Sequence, residues 1–298
     1  MDEHTGARTE APANVLEGEH LLLGATMEPG ATGRPEAAWY GDGTKEPVAF
    51  EEGCALADVG GLVATCISGD AASAFVSAVF TSYVPEPGSV LGALALMGDG
   101  RVVAPALVAG LAVNEFCVWC PGELSEGLME WMRGIAAVEE GGVAPYASVE
   151  LSCGAPLSST LMVAGPDATA VLGDYLAPDA ALPKPATLSN VRLDAIDTVV
   201  LRPAIGSFSP YLVVAPNAFA QVLWRSLLSF PNVSPVGTSA VWGRVADEAP
   251  GLVDFLDEPM ARRTPKDLGL QGLLRPGDSY IGARALANGP APKQPTEG

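Results

Sequence analysis

The chain has 298 residues, 48% of them hydrophobic and only 17% charged, with a formal net charge of −19. That acidic field repels phosphate backbones and excludes nucleic-acid binding, and no stretch reaches the roughly 18 unbroken apolar residues of a membrane helix, since Asp99 and Arg101 interrupt the nearest candidate. An odd number of scattered cysteines, behind a start (Met1-Asp2-Glu3-His4) with no basic, apolar leader, argues against a secreted disulfide framework and for a cytoplasmic protein.

From the N-terminus, residues 1–18 are polar and predict a mobile tail, and residues 30–43 form a Gly/Pro-rich loop carrying Trp39 and Tyr40. Ile67-Ser68-Gly69-Asp70-Ala71 predicts a strand that turns at Gly69 into a helix, with Asp70 accepting from open N–H groups and Ala71, Phe75 and Val79 on one face. Residues 91–96 and 102–107 flank Gly98-Asp99-Gly100, a hairpin signal. Residues 116–121 are a strand ending at Pro121, which suits the start of a helix carrying Leu124, Leu128 and Met132. After a linker at 139–145 the same order returns. Val163-Ala164-Gly165-Pro166-Asp167-Ala168 repeats Ile67-Ser68-Gly69-Asp70 at an offset of 96, and 211–216 with Phe219, Leu223 and Leu227 repeats 116–121 and its helix at 95.

Two matching segments in one order at one spacing mark an internal repeat. The predicted fold is therefore α+β, two pseudo-symmetric β-α-β-β-β-α units. The first occupies 19–146 and the second, with a closing segment, 147–289. The Pro-rich residues 290–298 predict a disordered tail.

Few residues carry chemistry. Cys117-Val118-Trp119-Cys120 spells C-x-x-C, but the repeat places Leu212 and Ala215 at the same positions, and residues i and i+3 of a strand face opposite sides. The only histidines are His4 and His20, both in the polar N-terminal region, so a nucleophile–histidine relay has little to draw on. Phosphate-binding glycine loops and clustered metal ligands are missing, and no metal site is assigned.

The order of several motifs resembles the glycine-cleavage T-protein (aminomethyltransferase) family. They are Ala55-Leu56-Ala57-Asp58-Val59 before the Ile67 helix start, Gly98-Asp99-Gly100-Arg101-Val102-Val103, Val163-Ala164-Gly165-Pro166-Asp167, Arg263-Thr264-Pro265-Lys266-Asp267-Leu268-Gly269-Leu270, and Tyr280-Ile281-Gly282-Ala283-Arg284-Ala285-Leu286. The resemblance spans roughly 21–286 and implies a duplicated folate-binding region with tetrahydrofolate in a central hollow, beside a catalytic aspartate.

The departures fall on the chemistry. The family's hairpin aspartate corresponds to Ala104 and Pro105, neither of which can hold a proton, so no catalytic residue is assigned. The family's paired acidic groups for the pterin edge fall near Phe208 and Leu212, within Gly206-Ser207-Phe208-Ser209-Pro210-Tyr211-Leu212. Its Gly-Ala-Arg-Asp arginine falls near Trp242, with Arg244 two positions on. The resemblance thus implies a T-protein-like protein of one-carbon metabolism in which aminomethyl transfer is lost and tetrahydrofolate is held weakly. Phe208, Tyr211 and Trp242 are pocket lining or plain core; Arg244 would meet the folate's glutamate tail; Glu248 and Asp99 are the substitute acids. Asp58 reads as a turn or cap residue before a ligand. The alternative is a non-catalytic scaffold, docking onto a larger one-carbon or demethylating enzyme or onto a second copy. The surface used would be the one the family's C-terminal barrel covers.

Overall fold

The computed structural model describes residues 14–30, 33–139, 141–153, 157–257 and 263–288. A short helix α1 (Glu17–Leu22) leads into a hairpin of β1 (Ala25–Pro29) and β2 (Pro35–Tyr40), then α2 (Glu46–Glu52) and β3 (Cys54–Asp58). The first repeat follows: β4 (Leu62–Ser68), α3 (Ala72–Val79), β5 (Val90–Leu96), β6 (Val102–Ala112), β7 (Glu115–Pro121) and α4 (Gly122–Ala136). Past β8 (Glu150–Cys153) comes the second: β9 (Ser158–Ala164), α5 (Ala168–Gly173), β10 (Thr187–Leu193), β11 (Ile196–Arg202), β12 (Tyr211–Pro216) and α6 (Asn217–Leu228). β13 (Val233–Pro235), α7 (Thr238–Glu248), α8 (Pro250–Asp257) and α9 (Ala283–Asn288) close the chain. No helix among the described residues is long and apolar enough to cross a membrane.

The two repeats share one strand order. A five-stranded sheet runs β5-β6-β7-β4-β8 and a six-stranded sheet runs β10-β11-β12-β9-β3-β13. Matching strands therefore occupy matching places, and α4 and α6 both begin directly after a proline, Pro121 and Pro216, each at the N-cap with an extended ψ near 137–138°. The predicted aspartate caps are not made. Neither α3 nor α5 has a side-chain cap, and Asp167 instead accepts from Asn232 Nδ2 at 2.7 Å.

The strand that flanks the first strand of each repeat comes from the other half. β3, which precedes the first repeat, pairs antiparallel with β9 of the second, Leu56 opposite Val163; β8, which precedes the second, pairs antiparallel with β4 of the first, Leu151 opposite Ile67. A cut at 146/147 would therefore not separate the sheets. The same glycine turn makes room for each exchanged strand. Gly69 (φ +109°) and Gly165 (φ +110°) hold conformations that side chains rarely adopt, and a Cβ there would strike Ser148 O and Gly53 O, just before β8 and β3.

Alternation along the strands builds four layers. Phe116, Val118 and Cys120 of β7 face outward onto α3 and α4, with Phe75, Val76 and Met132, while Cys117 and Trp119 face inward. In β12, Tyr211, Val213 and Ala215 face outward onto α5 and α6 with Leu172 and Trp224, and Leu212 faces inward. The two sheets meet through these inward residues. Fully burying each such large apolar side chain contributes about 1.5–3 kcal/mol, enough to fix the register of every strand.

Residues 14–18, expected in a mobile tail, are folded: Leu16 is fully buried in the outer core of the second repeat and Asn14 is 5% exposed. Residues 1–13 and the predicted tail at 290–298 lie outside the described residues.

Candidate functional site

Between the sheets the packing leaves a cavity of about 410 Å³, within the range of small-ligand sites. β6 supplies Pro105 and Leu107, β7 Trp119, and β12 Leu212; α7, α8 and residues 268–273 close the far side. The wall is mostly aliphatic and aromatic, with Phe208, Trp119 and Trp242 as its large rings. Pro105 forms part of it, at the position where the resemblance places a proton-handling aspartate. Ala104, its neighbour, points the other way into the outer core.

Among the described residues, three carboxylates line the hollow: Glu36, Glu123 and Glu248. Glu248, at the end of α7, is committed. It accepts from Ser207 N at 2.8 Å, Ser207 Oγ at 2.6 Å and Arg244 Nη2 at 3.1 Å, and these bonds hold it below the usual carboxylate range. Glu36, on β2, lies against the Gly60–Gly61 turn; a Cβ at Gly61 would come within 2.5 Å of its Oε1. Gly61 O in turn receives Gly122 N at 2.9 Å, which brings the start of α4 and Glu123 to the same wall. Burial raises the Glu36 carboxyl, Asp58 and Glu123 push the same way, and Arg34 pulls against them.

Behind this wall lies a buried polar network. Asp58 Oδ2 accepts from Arg34 Nη2 (2.8 Å) and Asn14 Nδ2 (3.0 Å) and meets His20 Nε2 at 3.2 Å; Oδ1 accepts from Gly60 N at 3.0 Å. His20, fully buried, has Tyr40 OH 2.7 Å from its Nδ1. Burial alone would raise the Asp58 carboxyl, but the His20 bond, the charges of Arg34 and His20, and the Gly60 amide outweigh it and hold it low. The expected turn role of Asp58 is present in the Gly60 bond. Its larger role is to fasten the N-terminal segment and Arg34 to the turn that leads into the hollow. His20, read from sequence as lying in a loosely held region, sits at the centre of this network.

The other residues singled out from sequence are divided. Phe208, Trp242 and Glu248 come together on the hollow. Arg244 does not line it. Its guanidinium stacks 5.1 Å from the Phe208 ring, pairs with Glu248 and Asp247, and faces a separate shallow cleft with Trp39. Tyr211 is 2% exposed on the outer face, its OH 3.0 Å from Thr169 Oγ1 and its ring under Arg202. The repeat accounts for this correction, since Tyr211 matches Phe116, also outward. Asp99 is at an exposed hairpin tip, bound by Arg101 Nε at 2.7 Å, and is not part of the lining. Cys117 and Cys120 fall in different cores, and burial pushes the Cys120 thiol up to about 12. Glu36, Glu123 and Trp119 were not picked out as site residues. The inward parity of Trp119 on β7 was available as a signal; nothing local marked the two glutamates.

The family model of the GCVT N-terminal domain matches residues 16–274. The chain belongs to that family. Aminomethyltransferase T of the glycine cleavage system from Bartonella henselae shares the fold of this GCVT-family chain, with a TM-score of 0.74 at 18% identity over 94% of this chain and 76% of that one. A chain of the heterotetrameric sarcosine oxidase from Corynebacterium sp. U-96 aligns over 63% of this chain and 89% of its own length, at 17% identity and a TM-score of 0.45. No curated protein matches the chain.

Proposed function

We propose that this chain is a binding member of the folate-dependent aminomethyltransferase family, which takes a flat small molecule into the central hollow and does not transfer an aminomethyl group. The observation that carries the reading is Pro105 in the wall of an open hollow. The cavity supports ligand binding, while the position matched to the family's aspartate offers neither a proton nor a backbone donor. General acid–base assistance is worth about 10²–10⁴-fold, so its loss removes useful turnover.

Tetrahydrofolate is the ligand that family membership suggests, and it should bind weakly. Phe208 and Leu212 cannot accept from the pterin's N–H groups, and two lost charge-assisted contacts of about 1.5–3 kcal/mol each cost about 10²–10⁴ in affinity. The scaffold alternative would gain from a hollow filled with side chains, and this one is open.

The test is a tetrahydrofolate-dependent aminomethyl-transfer assay on the full chain, run beside calorimetric titration with a neutral, flat aromatic alcohol. We expect no turnover above background and measurable binding of the alcohol that a bulky Leu107→Trp substitution abolishes. Robust turnover would overturn the reading and pass the acid role to Glu36, Glu123 or Glu248.

A further inference from the structure

Charge distinguishes the ligands this hollow can hold. Among the described residues its lining includes Glu36, Glu123 and Glu248 but no lysine, arginine or histidine. Glu248 is already satisfied by Ser207 and Arg244. Glu36 and Glu123, by contrast, have no hydrogen-bond or ion-pair partner among the described residues. Arg34, whose charge reaches Glu36, makes no hydrogen bond to it: its Nη2 is bound to Asp58 and Asn14 at 2.8 Å each, and its Nε is buried without a partner. Arg244, the cation expected to meet an anionic tail, faces away into another cleft. The half-buried Glu36 carboxylate, kept at an apolar wall without a hydrogen-bond partner, is costly, and a cation supplied from outside removes that cost; Glu123 is exposed and adds its charge.

We infer that the ligand of this hollow is a cation, a flat apolar body bearing a protonated amine or amidine whose N–H groups are accepted by Glu36 and Glu123. This rests on the hollow being the binding site, as proposed above, and adds the chemical class of the ligand. The rings of Trp119, Trp242 and Phe208 suit it twice over, giving contact area to the flat body and negative faces to the charge. The whole-molecule charge of −19 works in the same direction, drawing cations toward the surface and slowing the approach of anions. A folate is the opposite kind of molecule at one end, since its glutamate tail would enter a lining without a positive group.

Three isosteric probes separate the possibilities on the full chain by calorimetry: naphthylmethylamine, naphthylmethanol and naphthoate. One charge-assisted contact in this setting should favour the amine over the alcohol by about ten- to a hundredfold, with naphthoate weakest. Glu36→Gln and Glu123→Gln should each erode that preference, weakening the amine far more than the alcohol. Because neither side chain holds another residue in place, both variants should fold, and the comparison of probes on the unaltered chain needs no variant at all. Equal binding of amine and alcohol would refute the cationic ligand and leave the hollow standing as a site. Tighter binding of naphthoate or of a reduced folate, or a preference untouched by both substitutions, would refute it as well. Failure of all three probes to bind would overturn this inference together with the reading on which it rests.

Discussion

Asp58 is the side chain on which most depends. It is 8% exposed and joins Asn14, His20, Arg34 and the Gly60 amide around one carboxylate. Asp58→Asn leaves the Arg34 guanidinium buried without its counter-charge, so unfolding by urea should show a loss of about 3–5 kcal/mol at neutral pH. The pH dependence has a definite sign. The folded carboxyl is held below its unfolded value, so its contribution is present above about pH 4 and lost as pH falls through the folded value. The variant should therefore have a flatter acid limb than the parent. Glu36 has the opposite sign. Its folded pKa is raised, so ionisation costs stability once pH climbs above the unfolded value near about 4.3, and that cost is complete above the folded one. Thermal melts should find Glu36→Gln at least as stable as the parent at pH 7 and should find that advantage gone in acid. Neither residue was legible as a partner in the sequence. Asp58 and His20 lie 38 positions apart, and only the fold brings them within 3.2 Å.

At the scale of elements, the duplication could be read because both copies make the same local demands. A strand must reverse at Gly69 or Gly165 with a positive φ, and a helix must start after Pro121 or Pro216. What the motifs did not carry is how those turns are used, since the reason for the glycines is a carbonyl from the other half of the chain. Gly69→Ala and Gly165→Ala should each cost about 2–4 kcal/mol in chemical denaturation, from backbone strain together with a clash against Ser148 O or Gly53 O. Gly134→Ala is the control. It lies within α4 with open space at its Cβ and should add about 0.5–1 kcal/mol of stability instead. Tyr211 teaches the same lesson about period. An aromatic near a pocket motif looks like lining, yet Tyr211 shares the outer face with Val213 and Ala215, two and four positions on.

For the whole molecule, the exchange of β3 and β8 means that neither half owns a complete sheet. Residues 14–139 alone would lack the strand beside β4, and residues 141–288 would lack the one beside β9, which also carries β13 through β3. A chain cut at the exposed Gly141-Gly142 linker should therefore yield two pieces that are poorly folded apart and regain cooperative melting when mixed. Two independently melting halves would contradict this. The hollow has the same dependence, since its walls come from both sheets and no half could bind anything by itself. The plait has the form of an arm-swapped dimer with its protomers joined end to end and the linker as the seam. Each half can then differ from its twin elsewhere, provided it goes on lending its arm.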